Sequence, residues 1–308
     1  MRYFVIVNPT SGRGSAAKLG SFIKQTLTNI GLDYELAVTQ YPWHAAELSE
    51  LAARRGFDVV VSAGGDGTAN EVVNGLMFAQ SQGMRHTSLG LLPVGSGNDL
   101  AAALELPMDL YAAAQVLKSG GRRWMDIGFA RSDNYPEGRF FCNCVGVGFD
   151  AAGSILARRI TYVGGMLAYL IASIQTIFTY HASAPTLKID LDGVLSIQKS
   201  LMVSVMNGRR IGGGFLTAPN SRLDDGQFDL CIAQSVSQAR MFSLIPHFIK
   251  GTQASQPEIS MAHARNIKIN ALEGTMPIQM DGEIFCEQGI RLEVEILPNQ
   301  IQVMGVPL

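Results

Sequence analysis

The sequence predicts an α/β protein in which an N-terminal doubly wound α/β nucleotide-binding domain precedes a C-terminal β-sandwich-like domain with helical insertions. From Arg2 to about Gly120, short β-branched runs alternate with amphipathic runs of helix length, the rhythm of parallel βα units. Beyond Arg122 strand follows strand, the pattern of a mainly antiparallel sheet or sandwich. The 308 residues, 47% of them hydrophobic, are too many for one small core and enough to fill two. No linker of biased composition is visible, so the junction is expected near Asp126, dividing the chain into residues 1–125 and 126–298.

In the first half, strands are predicted at Tyr3–Val7, Tyr34–Val38, Asp58–Ser62 and Ser88–Pro93. Helices are predicted at about Ala16–Asn29, Trp43–Arg55, Ala69–Ala79, Asp99–Leu104 and Leu110–Lys118. In the second half the strands expected are Arg139–Val147, Thr186–Leu191, Ser200–Met206, Gln227–Ala233, Asn266–Ala271 and Gly289–Ile296. Helical insertions are expected near Ile155–Tyr180 and Gln238–Ile249. In a parallel sheet of this type ligands bind at the carboxyl ends of the strands, so the loops there carry the informative residues.

Composition narrows the function classes. A net charge of −2 implies no polyanion partner. The basic pairs Arg122-Arg123, Arg158-Arg159 and Arg209-Arg210 do not form the basic stripe with interleaved aromatics that nucleic acid demands. Cys142, Cys144, Cys231 and Cys286 lie in apolar runs without zinc or disulfide spacing, and fit buried thiols in a reducing cytosol. The histidines are scattered, with no two placed to share a metal on one helix. The apolar run after Met1 is too short for a signal-peptide core, so the protein is expected to stay inside the cell. The charge-free stretch Tyr162–Tyr180 meets the lower length limit for a bilayer span. Its Gly164, Gly165, Ser173, Gln175 and Thr176 instead favour a helix buried in the second domain or lining a lipid cleft.

Three loops carry the chemistry. The first strand ends in Asn8-Pro9-Thr10-Ser11-Gly12-Arg13-Gly14, a glycine-rich turn into a helix, able to hold a phosphate through its amides. Gly12-x-Gly14-x-x-Ala17 matches the dinucleotide fingerprint only superficially. Pro9 to Ser11 separate strand from glycine, and the second strand ends at Val38-Thr39-Gln40, without the usual ribose-binding acid. The third strand leads into Gly64-Gly65-Asp66-Gly67-Thr68 and a helix with Asn70, Glu71 and Asn74. Its glycines let amides approach a polyphosphate, whereas Asp66 would repel one without a cation between them and therefore implies magnesium. The competing reading makes Asp66 a cap of the next helix. The fourth strand ends in another phosphate-compatible turn, Gly95-Ser96-Gly97-Asn98-Asp99. Their shared sheet edge favours a nucleotide over three unrelated connections.

Asn8-Pro9-x-Ser11-Gly12, Gly64-Gly65-Asp66-Gly67-Thr68-x-Asn70-Glu71 and Gly95-Ser96-Gly97-Asn98-Asp99 resemble the diacylglycerol kinase catalytic-domain family, which includes bacterial lipid kinases and sphingosine kinases. Ile211-Gly212-Gly213-Gly214-Phe215, Ala218-Pro219-Asn220 and Leu223-Asp224-Asp225-Gly226 resemble its second-domain signature, so the likeness spans nearly the whole chain. The resemblance implies ATP held by the first domain and a lipid entering between it and the β-rich domain. It also implies a last strand near Gln300–Gly305 that returns to the first domain, which then includes residues 299–308. The nucleotide-binding set it implies is Asn8, Pro9, Thr10, Ser11, Gly12, Thr39, Gly64, Gly65, Asp66, Gly67, Thr68, Asn70, Glu71, Gly95, Ser96 and Asn98. A magnesium ion in the second domain would be bound by the Asp225 carboxylate and the carbonyls of Arg222 and Gln227; an ordinary hairpin turn is the alternative. Met280-Asp281-Gly282-Glu283 resembles the segment whose glutamate deprotonates the lipid hydroxyl, which makes Glu283 the candidate base, against a plain surface β-turn. Asp126 resembles an acidic position near that hydroxyl, an exposed strand-end acid being the other reading.

Leu100-Ala101-Ala102 stands where bacterial relatives commonly have Phe-Ala-Arg, and Ser96-Gly97 replaces a threonine-containing loop. The lipid is therefore left open between a diacylglycerol-like and a sphingoid alcohol. The expected activity is ATP-dependent and magnesium-dependent lipid phosphorylation, with Asp66, Glu283 and Asp126 as the catalytic acids. Two alternatives stand beside it: an NAD kinase, against which the Asn8-Pro9 turn and Leu223-Asp224-Asp225-Gly226 argue, and a silent nucleotide or lipid binder. The expected partners are the lipid and, transiently, the inner face of a membrane approached through Arg158, Arg159 and the helix after them. A homodimer is compatible with this reading, and no nucleic acid is expected.

Overall fold

The computed structural model describes residues 1–84, 86–160, 162–180 and 184–305. His181, Thr161 of the expected helical insertion, and 306–308 of the expected returning segment lie outside them. The chain forms two compact units, one of Met1–Ile127 with the chain from Asn299 on, the other of Gly128–Pro298.

The first unit runs β1 (Arg2–Val7), α1 (Ser11–Asn29), β2 (Asp33–Val38), α2 (His44–Arg54), β3 (Val59–Gly64), α3 (Asp66–Ser81), β4 (Ser88–Pro93), α4 (Asp99–Ala103), α5 (Leu110–Ser119) and the start of β5 (Arg122–Ser132). β1 pairs in parallel with both β2 and β3, and β3 with β4. The side chains follow that order. β1, β3 and β4 are buried nearly throughout, as strands covered on both faces must be, whereas β2 at the sheet's edge is partly exposed along its length. Val5, Val59, Val61 and Leu92 pack against Ile23 and Leu27 of α1 and Ala114 and Leu117 of α5. α2 and α3 lie so close that a Cβ on Gly75 would stand 2.0 Å from Ser49 Oγ. The chain steps outward from β1 to β2 and then back across β1 to β3. The order therefore reverses between β1 and β3, and a crevice opens beyond their carboxyl ends.

The second unit continues with β6 (Tyr135–Phe141), β7 (Cys144–Gly148), α6 (Phe149–Arg159), α7 (Gly165–Tyr180), β8 (Thr186–Leu191), β9 (Val194–Met206), β10 (Phe228–Gln234) and α8 (Gln238–Lys250). β11 (Ile259–Ala264), β12 (Asn266–Glu273), β13 (Met276–Met280), β14 (Glu283–Gly289) and β15 (Arg291–Met304) complete it. Its pairings are antiparallel. The first half of β9 pairs with β8, and its second half with β7 and β10. One long strand thus serves two sheets, and its burial changes from exposed to buried at that point. Phe141, Val145, Val203, Phe228, Ile267, Ile278 and Leu292 fill the space between the sheets. β15 pairs with β12 through Arg291–Glu295, and its residues from Asn299 on belong to the first unit, where Val303 pairs in parallel with Leu89 of β4.

The second half departs from the sequence expectation in three ways. The strand expected at Arg139–Val147 is two strands, because the amides of Cys142 and Asn143 are taken by the Asp281 carboxylate rather than by a neighbouring strand. The insertion expected at Ile155–Tyr180 is two helices: Ile160 turns extended, and Gly165 adopts a φ of +56°. β5, β11, β13 and β14 were not anticipated; β11, for example, buries only its two ends and shows no alternation to read. Among the described residues no helix is long and apolar enough to cross a membrane. α7 is not buried all round either, since Leu167 and Phe178 are exposed.

Candidate functional site

In the first unit the loops after β1, β3 and β4 are bonded into one cluster. Asn8 Nδ2 donates to Thr68 Oγ1 at 3.0 Å, Ser11 Oγ lies 3.2 Å from the same oxygen, and Gly65 N donates to Ser11 Oγ at 3.4 Å. Asn8 Oδ1 accepts from Thr10 N and Oγ1, which closes the Asn8-Pro9-Thr10 turn on itself. The loop after β4 lies directly on the β3 loop. Val94 N donates to Gly64 O at 3.0 Å, and a Cβ on Gly95 would stand 2.3 Å from Gly65 Cα. Only glycine permits two main chains to approach this closely.

Asp66 occupies the first turn of α3. Oδ1 accepts from Leu100 N at 3.0 Å, at the start of α4, so the acid ties the β3 loop to the β4 loop. Asn98, held left-handed at φ +53°, folds its amide back on Gly95: Gly95 N donates to Oδ1 and Nδ2 donates to Gly95 O, each at 2.9 Å. Ser96 is exposed, and Gly12 and Gly67 are partly so. Thr39 sits at the end of β2, its amide donating to Val7 O at 2.9 Å. Two members of the expected set face neighbours outside the loop cluster. Glu71 Oε2 accepts from Ala45 N at the start of α2, and Asn70 Oδ1 accepts from Asn74 Nδ2 one turn on. Asp126 is fully buried in β5, its Oδ1 accepting from Asn299 N at 2.7 Å. It is not the exposed strand-end acid of the alternative reading.

In the second unit Asp281 and Gly282, at φ +47° and +80°, form the tight turn between β13 and β14. This turn is no plain surface feature. Asp281 is 6% exposed and accepts from three successive amides, Cys142 N and Asn143 N at 2.9 Å and Cys144 N at 2.8 Å. Glu283 follows at once, half-exposed, with both carboxylate oxygens 3.0 Å from the Arg158 guanidinium. Gln279 supports the turn from below: its Oε1 accepts from Gly282 N at 2.8 Å, and its Nε2 lies 3.4 Å from Asp150 Oδ2. Asp150 is buried and also accepts from Tyr169 Oη at 2.6 Å and Ser204 Oγ at 3.1 Å. Burial raises the Asp150 pKa against the lowering effect of these bonds, and burial with the neighbouring Asp150 charge pushes the Tyr169 phenol well above its ordinary value. α6 thus anchors the Glu283 turn at both of its ends, through Asp150 and through Arg158. Sequence reasoning passed over Asp150; the available signal was a lone acid in the apolar run Val145–Ala152.

On the turn before β10, Gln227 N donates to Asp225 Oδ1 at 3.2 Å, and Gly226 takes φ +73°. This bond fixes the carboxylate over a tight turn whose carbonyls are the other implied donors. Such an all-oxygen set fits a hard divalent cation. The Arg222 side chain is engaged elsewhere, with Asp224 at 3.1 Å, so Arg222 could contribute only its carbonyl.

Comparison with known proteins bears on both units. Residues 2–130 match the family profile described as the diacylglycerol kinase catalytic domain, and residues 143–305 match the YegS C-terminal NAD kinase beta sandwich-like domain. The chain is 31% identical to a diacylglycerol kinase of Bacillus subtilis (strain 168) over 281 residues, which is 91% of this chain and 88% of that one. The chain belongs to the diacylglycerol kinase catalytic-domain family. A diacylglycerol kinase of Mycobacterium tuberculosis (strain CDC 1551 / Oshkosh) is 28% identical over 301 residues, 97% of this chain and 93% of its own. A solved diacylglycerol kinase structure from Bacillus anthracis str. Sterne superposes with a TM-score of 0.73 at 21% identity, covering 99% of this chain and 97% of that one. Yeast NADH kinase in complex with NADH superposes with a TM-score of 0.54 at 11% identity, covering 100% of this chain and 84% of that one. These two likenesses concern the fold: a nucleotide-binding α/β unit and a β-sandwich-like unit shared by the lipid kinases of this family and the NAD kinases.

Proposed function

We propose that this family member transfers the γ-phosphate of ATP to a hydroxyl of a diacylglycerol-like or sphingoid lipid. The observation that carries the reading is the bonded cluster of three glycine-bearing loops beyond a parallel sheet, with Asp66 bridging two of them. The loops offer main-chain amides to phosphate oxygens, and the acid among them calls for a divalent cation to balance charge. Magnesium bound with ATP near Asp66 would supply that neutralisation. A second ion, held by Asp225 with the carbonyls of Arg222 and Gln227, would stiffen the turn into β10.

The lipid hydroxyl oxygen attacks the γ-phosphorus, the bond to the bridging oxygen of ADP breaks, and Glu283 takes the hydroxyl proton. Phosphoryl transfer asks a protein mainly for positioning and charge stabilisation, with a general base contributing about 10²- to 10⁴-fold. Arg158 takes one acceptor site on each Glu283 oxygen, which leaves a second lone pair on each for the substrate hydroxyl.

Labelled ATP with a lipid extract, followed by identification of the product, tests the reading directly. Glu283→Gln should lower turnover by about two orders of magnitude or more while leaving ATP binding intact. Turnover at the unmutated rate would remove Glu283 from the mechanism. Calorimetry that found no magnesium-linked ATP binding, or phosphate appearing on NAD without lipid, would overturn the proposal itself.

A further inference from the structure

α7 contains no charged residue over its sixteen positions. Its inner face, Ala168, Ala172, Ser173, Thr176 and Ile177, is buried. Helical periodicity should then place polar groups on the outer face. Gln175 and Thr179 are exposed there, but so are Leu167, Ile174 and Phe178, by 51%, 37% and 61%, with partly buried Ile171 among them. Positions 167, 171, 174 and 178 follow the spacing of a single helix stripe. The ring of Phe178 meets that of Phe242 on α8 at 5.6 Å, and Phe242 is itself 36% exposed, so the apolar surface extends onto a second helix.

Charge is distributed with equal asymmetry. The chain has 26 acidic residues, yet none lies between Asp150 and Asp190, which flank most of α6 and all of α7, and none between Asp229 and Glu258, which flank α8. Arg158 and Arg159 end α6, and Lys250 ends α8. Arg158 is held by Glu283, whereas Arg159 and Lys250 are exposed and form no ion pair among the described residues.

We infer that the outer faces of α7 and α8 form a docking surface for an anionic lipid bilayer, with Leu167, Ile174, Phe178 and Phe242 entering the headgroup boundary and Arg159 and Lys250 meeting lipid phosphates. Such a helix lies on a membrane rather than spanning it, and α7 is too short to span. A second copy of the chain is the poorer occupant, because an isologous contact would oppose the exposed cations Arg159 and Lys250 of the two copies, while the acids beside this face, Glu283 and Glu258, are already engaged by Arg158 and Arg240. The inference locates where the lipid substrate of the proposed reaction is met, but its geometry does not depend on that reaction.

The test is co-sedimentation of the full chain, without ATP, with phosphatidylcholine vesicles that do or do not contain phosphatidylglycerol. The unmutated protein should bind the anionic vesicles, and added salt should weaken binding. Phe178→Asp should reduce binding at least tenfold, and Arg159→Glu about fivefold or more, in line with the usual weight of one basic group near an anionic surface. Both positions are exposed, so turnover of a water-soluble short-chain lipid should be unchanged; this separates the docking claim from the kinase reading. Equal binding to both vesicle types, or unchanged binding by both variants, would overturn it. So would a dimer in sedimentation velocity that Phe178→Asp dissociates, because the stripe would then belong to a partner copy.

Discussion

Replacing Asp281 by alanine should destabilise the second unit out of proportion to the size of the change. The carboxylate accepts from Cys142 N, Asn143 N and Cys144 N at 2.8–2.9 Å, and Cys142 Sγ lies 3.2 Å from Oδ2. All four residues are buried, so alanine leaves three amides without an acceptor in a site that water reaches poorly. A hydrogen bond to a charged group contributes roughly 1.5–3 kcal/mol, and a buried donor left unsatisfied costs about 1–3 kcal/mol. Allowing for relaxation and some water entry, the loss should be about 4 kcal/mol, a large share of a typical domain's 5–15 kcal/mol. The assay is urea unfolding followed in the second unit, for instance through a fluorescent label on α8. Asp281→Asn should lose about half as much, because its single carbonyl oxygen can replace Oδ1 but its NH2 would face the Cys142 amide. A loss below about 1 kcal/mol for the alanine variant would refute the reasoning, since it would mean that these amides find other acceptors or are never dry. Because the turn also carries Glu283, lipid phosphorylation should fall with Asp281→Ala under conditions where most molecules remain folded.

Other perturbations probe other parts of the molecule. Gly95→Ala would place a Cβ 2.3 Å from Gly65 Cα, a main-chain atom that cannot swing aside, so the loops must part. ATP affinity by calorimetry should drop at least tenfold, with a stability loss of about 1–3 kcal/mol; unchanged affinity would show that the loops do not grip the nucleotide together. Burial raises the folded-state pKa of Asp150, so the stability linked to this group is complete below its unfolded value and is lost as pH rises through the folded one. Asp150→Asn removes that dependence, so its urea midpoint relative to the unmutated protein should improve as pH rises above the ordinary carboxylate range of about 4. A difference that stays constant with pH would indicate that the carboxyl is not strained by burial.

Much of the first unit is legible from sequence because its signals are local. The Ser88–Pro93 strand appears in the structure with the bounds that its apolar run implies, and β1, β2 and β3 differ by a residue or two at their ends. The starts of α4 and α5 coincide with the sequence expectation, whereas α1 and α3 begin earlier, at Ser11 and Asp66 against the expected Ala16 and Ala69, because glycines at a phosphate-compatible turn resemble loop until the first helical bonds form. The second unit was less readable. β13 and β14 flank a turn that Asp281-Gly282 announces, but a five-residue run broken by Pro277 and Gln279 and a mixed stretch ending in glycine do not declare themselves strands.

What the sequence by itself determined was the succession of elements, the family likeness, and the placing of three glycine loops at one end of a parallel sheet. Periodicity, turn chemistry and strand polarity act within a few residues and need no knowledge of the rest of the chain. Only the tertiary structure decided that β1 and β3 are neighbours, that Asp66 reaches Leu100, and that Arg158 grips Glu283 across 125 residues of sequence. It alone turned Asp281 inward to amides 137–139 positions away and left the apolar outer stripe of α7 uncovered. Those outcomes depend on which surfaces the packed chain brings together. A helix without a charged residue, or an Asp-Gly pair that suits any turn, carries no mark of which neighbour it will meet.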